Sequence, residues 1–471
     1  METERMKKYT LIVVTLASFL TPFMGSAINL AIPAMGKYFN SSSLFLSWVA
    51  TSYILASAAF LVPFGRLADI IGRKKIFTLG IILFAFSSLM CGLSWSMQAL
   101  LVFRVFQGIG SAMIFSISMA ILTSVFPPQE RGKVLGINIA TVYTGLSLGP
   151  VLGGTLNHHF GWQSIFFFTT LIALFAIGMT VTKLKGAWAG RAEESFDYLG
   201  AFLYIAGLIS FMYGISSVVT APSAKYLLVL GIIVLVLFAW YEMRIKDPIL
   251  NLTLFKNVPF AFSNLAALIN YSATFAVGFV LSLYLQEVKG YDSQMAGLIL
   301  LFQPVIMALL SPVTGTLSDR VEPRILATAG MALTTLGLVF FCFISQTTPV
   351  WLITANLALL GTGFALFSSP NSSAIMGSVN KRFYATASST MGTMRMIGQA
   401  ISMAIVTLVM ALFVGNVQLT PAFAGKLVSS SRIAFIVFAL ICFGGIFASS
   451  ARGKVHPGTG QEDGYTLNNG L

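Results

Sequence analysis

Residues 65–75 read Gly65-Arg-Leu-Ala-Asp69-Ile-Ile-Gly72-Arg73-Lys74-Lys75, directly after the second long apolar stretch of the chain. Residues 315–319 read Gly315-Thr-Leu-Ser-Asp319 and follow the tenth such stretch. The two loops share the pattern Gly-x-Leu-small-Asp at an offset of 250 residues. Two halves of like orientation, each with six apolar helices, account for this offset if two further helices are inserted between them.

The composition of the chain defines its class. Of its 471 residues, 56% are apolar and only 9% are charged, and the mean hydropathy is +0.86. About a quarter of the residues of a soluble domain are charged, and a disordered chain combines low hydrophobicity with high net charge. Both of these classes are excluded. The composition therefore predicts an all-α membrane protein that crosses the bilayer many times.

Fourteen spans are predicted, because a bilayer core about 30 Å thick needs roughly 20 apolar residues per helix. They cover residues 10–35, 45–65, 76–95, 98–124, 133–156, 163–184, 197–219, 224–243, 258–286, 294–316, 324–345, 349–377, 386–415 and 430–451. The predicted regions are a six-helix bundle in 1–190, two inserted helices in 191–256, a second six-helix bundle in 257–452 and a cytoplasmic tail in 453–471.

The distribution of cations predicts the orientation. With both termini in the cytoplasm, 21 of the 28 Lys and Arg residues lie on the cytoplasmic side and 5 on the outer side. Cytoplasmic loops of membrane proteins carry such an excess. The bias indicates a plasma or inner membrane with both termini cytoplasmic, and it explains the net charge of +13 without a nucleic-acid partner. The apolar stretch after Tyr9 is too long for a signal peptide, so it is expected to remain as the first span.

Several kinds of chemistry have no residues to support them. Cys91, Cys342 and Cys442 lie in apolar runs without metal-ligand or disulfide spacing. The adjacent His158 and His159 have no acid or cysteine beside them, and no phosphate-binding Gly-x-x-x-x-Gly-Lys-Ser/Thr loop occurs. We therefore expect no metal, no cofactor, no ATP motor and no enzymatic activity.

The loop at 65–75 also carries a resemblance to a known family. It resembles the signature between spans two and three of the major facilitator superfamily, and the topology of nearly the whole chain is similar to the fourteen-span drug:proton antiporters of that superfamily. The resemblance implies a cytoplasmic latch that holds one access state, with a solvated basic loop as the alternative. The latch residues are Gly65, Asp69, Gly72, Arg73, Lys74 and, in the second half, Asp319.

Span four contains Arg104-Val-Phe-Gln107-Gly108, which is similar to the second motif of the superfamily. An unpaired charge at this depth is costly, so Arg104 is expected to face the protein interior or a wet cavity. A structural arginine that binds backbone carbonyls is the alternative.

Span five carries the motif that the superfamily associates with exporters, Gly145-Leu-Ser-Leu-Gly149-Pro150-Val-Leu-Gly153-Gly154. Glycines that recur every four residues share one helix face and let a neighbouring helix approach closely. The proline removes one backbone hydrogen bond and favours a kink. A hinge is predicted here, with ordinary small-residue packing as the alternative. Its residues are Gly145, Gly149, Pro150, Gly153 and Gly154.

Span one departs from the family pattern. The pattern is matched by Ser26, Asn29, Ala31 and Pro33, but Met24 stands at the acidic position that would recognise a cation or exchange a proton. Of the fifteen Asp and Glu residues, Glu287 near the outer end of span nine is the one carboxylate expected to reach a cavity. Glu287 is therefore the candidate for proton coupling, and an interfacial residue beside Lys289 is the alternative.

Arg395 of span thirteen is the second charge inside the membrane. Two arginines without a central acid would make a cavity positive, which favours neutral, zwitterionic or anionic amphiphiles over cations. The predicted substrate cavity consists of Met24, Asn29, Arg104, Gln107, Asn270, Tyr271, Arg395 and Gln399.

The resemblance implies a secondary active transporter that exports amphipathic small molecules by proton antiport with alternating access. A uniporter, or an exporter of a neutral or anionic lipid or metabolite without proton coupling, is a second prediction. A receptor or scaffold that retains the fold belongs to a different class and is the third. The expected partners are a small amphiphile, membrane lipids and protons, and the chain is expected to be a monomer.

Overall fold

A computed structural model describes residues 2–184, 195–318, 320–379, 384–415 and 423–453. These residues form helices, turns and loops, without a β-strand. A 3-10 turn at Leu252–Lys256 precedes α9, and a π turn at Tyr284–Val288 follows α10. The helices are α1 (Glu2–Tyr38), α2 (Ser43–Ile71), α3 (Arg73–Gly92), α4 (Met97–Val125), α5 (Pro128–Phe160), α6 (Gln163–Lys183), α7 (Tyr198–Ser217), α8 (Ala224–Glu242), α9 (Val258–Thr274), α10 (Val277–Leu283), α11 (Ser293–Leu300), α12 (Phe302–Leu317), α13 (Pro323–Phe341), α14 (Val350–Gly377), α15 (Tyr384–Phe413) and α16 (Ala424–Ala451).

Within the described residues, fourteen segments are long and apolar enough to cross a membrane, which confirms the predicted number of spans. The ninth, Val258–Val288, combines α9, α10 and the π turn, and the tenth, Ser293–Leu317, combines α11 and α12. Fourteen crossings place the beginning of α1 and the end of α16 on the same side, which we call the terminal side. The opposite side is the far side. We call α1–α6 the first bundle and α9–α16 the second bundle.

The sequence predicts spans nine and ten as single helices, whereas the structure interrupts both. In span nine the Ala276 amide donates to the Ser402 hydroxyl on α15 at 3.0 Å. This amide therefore bonds to another helix, and the regular backbone hydrogen bonding of span nine is interrupted there. In span ten the helix divides at Leu301, three residues before Pro304, which has no N–H to give to the preceding turn. Both breaks lie in the second bundle, in helices that contact the first.

Close glycine contacts repeat between the bundles. Gly108 of α4 lies directly on the Tyr53 carbonyl of α2, and Gly361 of α14 lies on the Gln303 carbonyl of α12, where an added Cβ would come within 2.5 Å of the oxygen. Gly residues permit this approach because they have no Cβ. The second bundle thus repeats the α2–α4 packing of the first, as the paired loop sequences indicate.

The inserted helices α7 and α8 pack on each other and lie against the seam between the bundles. Gly214 of α7 meets Leu228, and Gly231 of α8 meets Phe211. The Tyr204 hydroxyl of α7 donates to the Ala58 carbonyl of α2 at 3.0 Å, and α7 also packs on α15. The predicted region boundary at 190 lies outside the described residues, the boundary at 256 falls at the end of the 3-10 turn, and the boundary at 452 follows the end of α16. That the bundles act as separate moving units stays a prediction, and the tail beyond residue 453 lies outside the described residues.

Candidate functional site

An aromatic and apolar cluster joins the bundles near the middle of their helices. The Tyr143 hydroxyl on α5 lies 3.0 Å from the Ser368 hydroxyl on α14. The Tyr271 ring of α9 meets the Phe364 ring of α14 edge-on, with centroids 5.5 Å apart. We call this group the bridging cluster, and its members are Tyr143, Leu146, Tyr271, Met307, Leu310, Phe364 and Ala365.

Arg395 of α15 lies beside the bridging cluster and is held by rings from both bundles. Its guanidinium carbon is 5.3 Å from the ring centroid of Phe115 on α4 and 5.5 Å from that of Tyr271 on α9. Cation–π contacts are worth roughly 0.5–1 kcal/mol at exposed sites and about 2 kcal/mol or more when desolvated. The Arg395 Nε–H is buried without a hydrogen-bond partner, and no ion pair with a described acid neutralises the side chain. The result is a positive spot with aromatic walls between the bundles.

Two further polar side chains lie on α9 and α15 near Tyr271 and Arg395 in the chain. Asn270 precedes Tyr271, is fully buried, and has neither its amide oxygen nor its amide nitrogen hydrogen-bonded. Gln399 is buried one helical turn beyond Arg395. The structure therefore brings four of the predicted cavity residues into one region. Asn29 of α1 lies nearer the far side, where its carbonyl accepts the Ser282 hydroxyl of α10 at 2.6 Å.

Arg104 and Gln107 do not face this region, contrary to their predicted place in the cavity. Both are fully buried inside the first bundle. Arg104 donates to the Val49 carbonyl of α2 at 2.9 Å and to Gln107 Oε1 at 2.5 Å, and it stacks over the Tyr53 ring at 4.3 Å. Gln107 in turn donates to the Ser88 hydroxyl of α3 at 2.7 Å. The geometry matches the alternative of a structural arginine that ties three helices together.

Met24 also presents no surface to a cavity in this conformation. Its side chain is fully buried in the apolar core of the molecule. The neighbouring Phe23 ring stacks on Phe19 and contacts Phe168 of α6. The position that is acidic in the family pattern is thus occupied here by a core residue.

Glu287 forms an ion pair at the far side. Its carboxylate lies 3.5 Å from Lys37 Nζ at the end of α1, and its side chain is 8% exposed against 71% for the lysine. The pair therefore joins the first bundle to the second. Lys289, the neighbour considered from the sequence, donates instead to the Gln346 carbonyl at 2.7 Å.

Further polar contacts seal the far side between the bundles. The Ser43 hydroxyl of α2 donates to the Gly415 carbonyl at 2.5 Å, and the hydroxyls of Thr51 and Thr407 are 3.2 Å apart. At the terminal side, the described residues show a weaker polar contact between the bundles, from the Ser388 hydroxyl to Met119 Sδ at 3.2 Å. The described residues thus show a molecule that is closed at the far side.

The glycines of the predicted hinge face two different helices. Gly145, Gly149 and Gly153 lie against α1, where an added Cβ would come within 2.7 Å of Phe19 O, 2.6 Å of Ser26 Cβ and 2.7 Å of Ala27 Cα respectively. Gly154 faces the second bundle, and its carbonyl accepts the Ser293 hydroxyl of α11 at 3.0 Å. One helix thus carries the tight packing within a bundle and the contact between bundles. Its flexing stays a prediction.

The predicted latch residues tie three helices at the terminal side. Asp69 Oδ1 accepts from Arg73 Nε at 2.8 Å, and Arg73 also donates to the Ala120 carbonyl at 3.3 Å and to the Ser124 hydroxyl at 2.5 Å on α4. Gly72 has φ +111 between α2 and α3, a conformation that favours glycine.

The other described latch residues take no part in the Asp69–Arg73 ion pair and meet different partners. Lys74 binds the Leu184 carbonyl after α6 at 2.5 Å. Gly65 lies against Ser116 of α4, where an added Cβ would be 3.5 Å from the serine Cβ. Asp319 lies outside the described residues.

Sequence reasoning missed the residues that face Arg395 from the first bundle. Phe115 and Tyr143 occur among 40 Phe and 14 Tyr residues, and neither belongs to one of the motifs. A charged residue on α15 predicts that some partner exists, but the partner's identity depends on how α4 and α5 meet the second bundle. That information is absent from local sequence patterns.

Two helical bundles of like orientation that meet at a polar and aromatic midplane site form the architecture of a secondary transporter. A family model described as Major Facilitator Superfamily matches residues 14–403, and the chain therefore belongs to that superfamily. The protein is a fourteen-helix, multi-pass membrane transporter and not an enzyme.

Relatives span most of the chain. The riboflavin transporter RibZ of Clostridioides difficile is 30% identical over 94% of this chain and 96% of its own length. The multidrug resistance protein Stp of Mycobacterium tuberculosis is 30% identical over 86% of this chain and 76% of its own. The tetracenomycin C resistance and export protein of Streptomyces glaucescens is 27% identical over 87% of this chain and 77% of its own length.

Solved structures share the fold. The bacterial homologue of the human lysosomal transporter Spinster superposes with a TM-score of 0.69 at 16% identity, over 95% of this chain and 96% of that chain. A POT family transporter superposes with a TM-score of 0.67 at 15% identity, over 92% of this chain and 95% of that chain.

Proposed function

We propose that this transporter exports amphipathic small molecules across a plasma or inner membrane by alternating access, as a monomer with both termini in the cytoplasm. The observation that carries the proposal is Arg395, held between Phe115 of one bundle and Tyr271 of the other. A site that both bundles contribute to changes when they move, which is what transport requires. Similarity to the Stp and tetracenomycin C proteins supports export.

The chemistry of the site favours planar aromatic substrates that are neutral, zwitterionic or anionic. A guanidinium between two rings offers a flat surface for stacking, and its unpartnered Nε–H can bind an acceptor. Asn270 adds an amide without a partner, and a buried polar group of this kind is costly until it is bonded. Lipophilic cations lack a matching carboxylate in this region.

The transport test compares cationic, neutral and anionic fluorescent dyes in inverted membrane vesicles. We expect Arg395→Gln to reduce efflux of anionic dyes roughly thirtyfold, because the loss of one desolvated cation–π or charged contact of about 2 kcal/mol corresponds to that factor. Arg395→Lys retains the charge but loses the planar stacking, so it should retain part of the activity. Wild-type efflux of cations at least as fast as that of anions would contradict the proposed substrate class.

Proton antiport is part of the proposal, with Glu287 as the coupling residue. Glu287 lies between the bundles and loses its Lys37 partner if the far side opens. A carboxylate that is paired in one state and free in the other changes its proton affinity. We expect Glu287→Gln to transport at a rate that no longer responds to an imposed pH gradient, whereas Lys37→Gln still responds. Gradient-dependent flux in Glu287→Gln would remove Glu287 from this role.

A second candidate is transport of riboflavin, which the similarity to RibZ over 96% of that protein favours. Riboflavin is a planar ring system with a polar chain, which fits the same site chemistry. Radiolabelled riboflavin flux in right-side-out and inverted vesicles discriminates the candidates and gives the direction. Saturable riboflavin flux with no dye efflux would select the second candidate. Dye binding without any flux would instead indicate a receptor or scaffold.

A further inference from the structure

Two acidic side chains lie next to each other where the inserted helices α7 and α8 reach the terminal side. They belong to different helices from those that form the bridging cluster. Asp197 caps the beginning of α7, and Glu242 is the last residue of α8. Both residues are buried, with 7% and 3% of their surface exposed. Neither of them has a role in the transport site described above.

The hydrogen bonds leave one oxygen free on each carboxyl group. Asp197 Oδ1 accepts the Gly200 amide at 2.9 Å and the Tyr241 hydroxyl at 3.2 Å. Glu242 Oε2 accepts the Leu250 amide at 3.2 Å. Asp197 Oδ2 and Glu242 Oε1 are buried and have no donor. The three donors named here are thus directed at the other two oxygens.

The two free oxygens face each other. Both lie against Gly200, where an added Cβ would be 2.6 Å from Glu242 Oε1 and would collide with Asp197 Oδ2. Their common contact with the Gly200 position places the two oxygens next to each other. A glycine at this position leaves the space in which they meet.

The charged groups around the pair lie on the connection after α8 and on the neighbouring α2 and α15, and Arg66 of α2 takes part in an interaction. Arg244 and Lys246 of the connection after α8 are exposed, and Arg244 stacks over the Trp240 ring at 4.0 Å. Asp247 adds a further acid on that connection. On the neighbouring α2, Asp69 is paired with Arg73, and no ion pair of the described residues includes Asp197 or Glu242. On α15, the described charge is Arg395 at the bundle interface.

We propose that Asp197 and Glu242 form a proton-binding site that holds one proton between Asp197 Oδ2 and Glu242 Oε1 at neutral pH. Two buried carboxylates in contact repel each other strongly, and a single shared proton turns this repulsion into a hydrogen bond. The shared proton fastens α7, α8 and the Ile249–Leu250 connection to one another. When the proton leaves, the like charges push the base of the inserted helices apart. This site is independent of whether Glu287 couples transport to protons.

The test is infrared spectroscopy of the purified full-length protein in lipid nanodiscs. We expect the wild type to show the C=O stretch of a protonated carboxyl group at neutral pH and to lose it as the pH rises. The same band should be absent from Glu242→Gln and from Asp197→Asn, because each variant removes the carboxyl pair. Asp247→Asn, on the same connection, should keep the band. A wild type without the band, or a band that persists in both variants, would overturn the proposal.

A second readout uses stability and does not depend on the infrared assignment. A shared proton stabilises the fold only while it is bound, so its contribution to stability is present at low pH and is lost as the pH rises and the proton leaves. Glu242→Gln places an amide N–H where the proton would lie, so it should fold and lose this pH dependence. An unchanged pH profile of the melting temperature in Glu242→Gln would count against the shared proton.

Discussion

Two arginines inside the membrane have opposite surroundings. Arg104 is fully enclosed by helices of one bundle and bonded to a carbonyl and an amide. Arg395 is half-buried between two bundles and lies over two rings. A residue whose partners all belong to one rigid bundle maintains that bundle, whereas a residue with partners on both sides responds to their movement.

Arg104→Gln should destabilise the first bundle without changing which dyes are preferred. Gln107 Oε1 would lose its donor, and a buried group left unpaired costs about 1–3 kcal/mol, while the Val49 carbonyl would lose the bond that ties α4 to α2. Thermal unfolding in detergent, followed by size-exclusion chromatography, measures the loss. The exposed Arg320→Gln is the matched control and should unfold with the wild type. A wild-type melting curve for Arg104→Gln would refute the structural role.

At the scale of helices, α5 is an element that packs on both bundles. Its glycine face holds α1 at close range, and the Ser26 hydroxyl of α1 donates to the Leu146 carbonyl at 3.2 Å. Its Gly154 meets α11 of the other bundle. The same helix also carries Tyr143 of the bridging cluster. A rotation or bend of α5 therefore affects the packing, the seal and the site together.

Gly149→Ala should weaken the α1–α5 contact, because the added Cβ would lie 2.6 Å from Ser26 Cβ and 2.8 Å from its hydroxyl oxygen. Overpacking of this kind costs about 1–3 kcal/mol. Gly136→Ala on the same helix meets nothing within 4 Å and should be neutral or stabilising by up to about 1 kcal/mol. Melting temperatures of the two variants give the comparison. Equal effects of the two substitutions would mean that helix propensity, and not close packing, sets the result.

At the scale of the whole molecule, the interface between the two bundles is closed at the far side. Polar contacts cross from the first bundle to the second at the far side through Lys37, Ser43 and Thr51. Alternating access requires these contacts to break while contacts at the terminal side form. Opening of the far side must break an ion pair and several hydrogen bonds, so it costs free energy. A covalent cross-link at the same place should prevent this opening.

A disulfide between Thr51→Cys and Thr407→Cys should stop transport. The two hydroxyls are 3.2 Å apart across α2 and α15, so the sulfurs can come into bonding range. Vesicle efflux is measured after oxidation and again after reduction, in a chain in which Cys91, Cys342 and Cys442 are replaced by Ser. We expect at least tenfold inhibition that reduction reverses.

The control for this cross-link joins two helices of one bundle. Thr328→Cys and Ser449→Cys have hydroxyls 3.0 Å apart across α13 and α16. Oxidation of this pair should leave efflux unchanged, because we expect each bundle to move as a unit. Full efflux by the oxidised Thr51–Thr407 variant would show that the far side does not need to open there.

The sequence by itself determined the class of the protein, the number of spans, the superfamily and the glycine face of α5. These features follow from local patterns, since a run of about 20 apolar residues or a glycine at every fourth position has its physical consequence within one helix. The same patterns placed Tyr271 and Arg395 in spans that could line a site.

The tertiary structure alone decided which charges belong together. It moved Arg104 and Gln107 from the cavity to the interior of the first bundle and supplied Phe115 as a partner of Arg395. It also joined Glu287 to Lys37 and brought Asp197 to Glu242. Each of these pairings joins residues from different helices, and the burial, bonding and charge of such a residue depend on how those helices pack, which no single stretch of sequence contains.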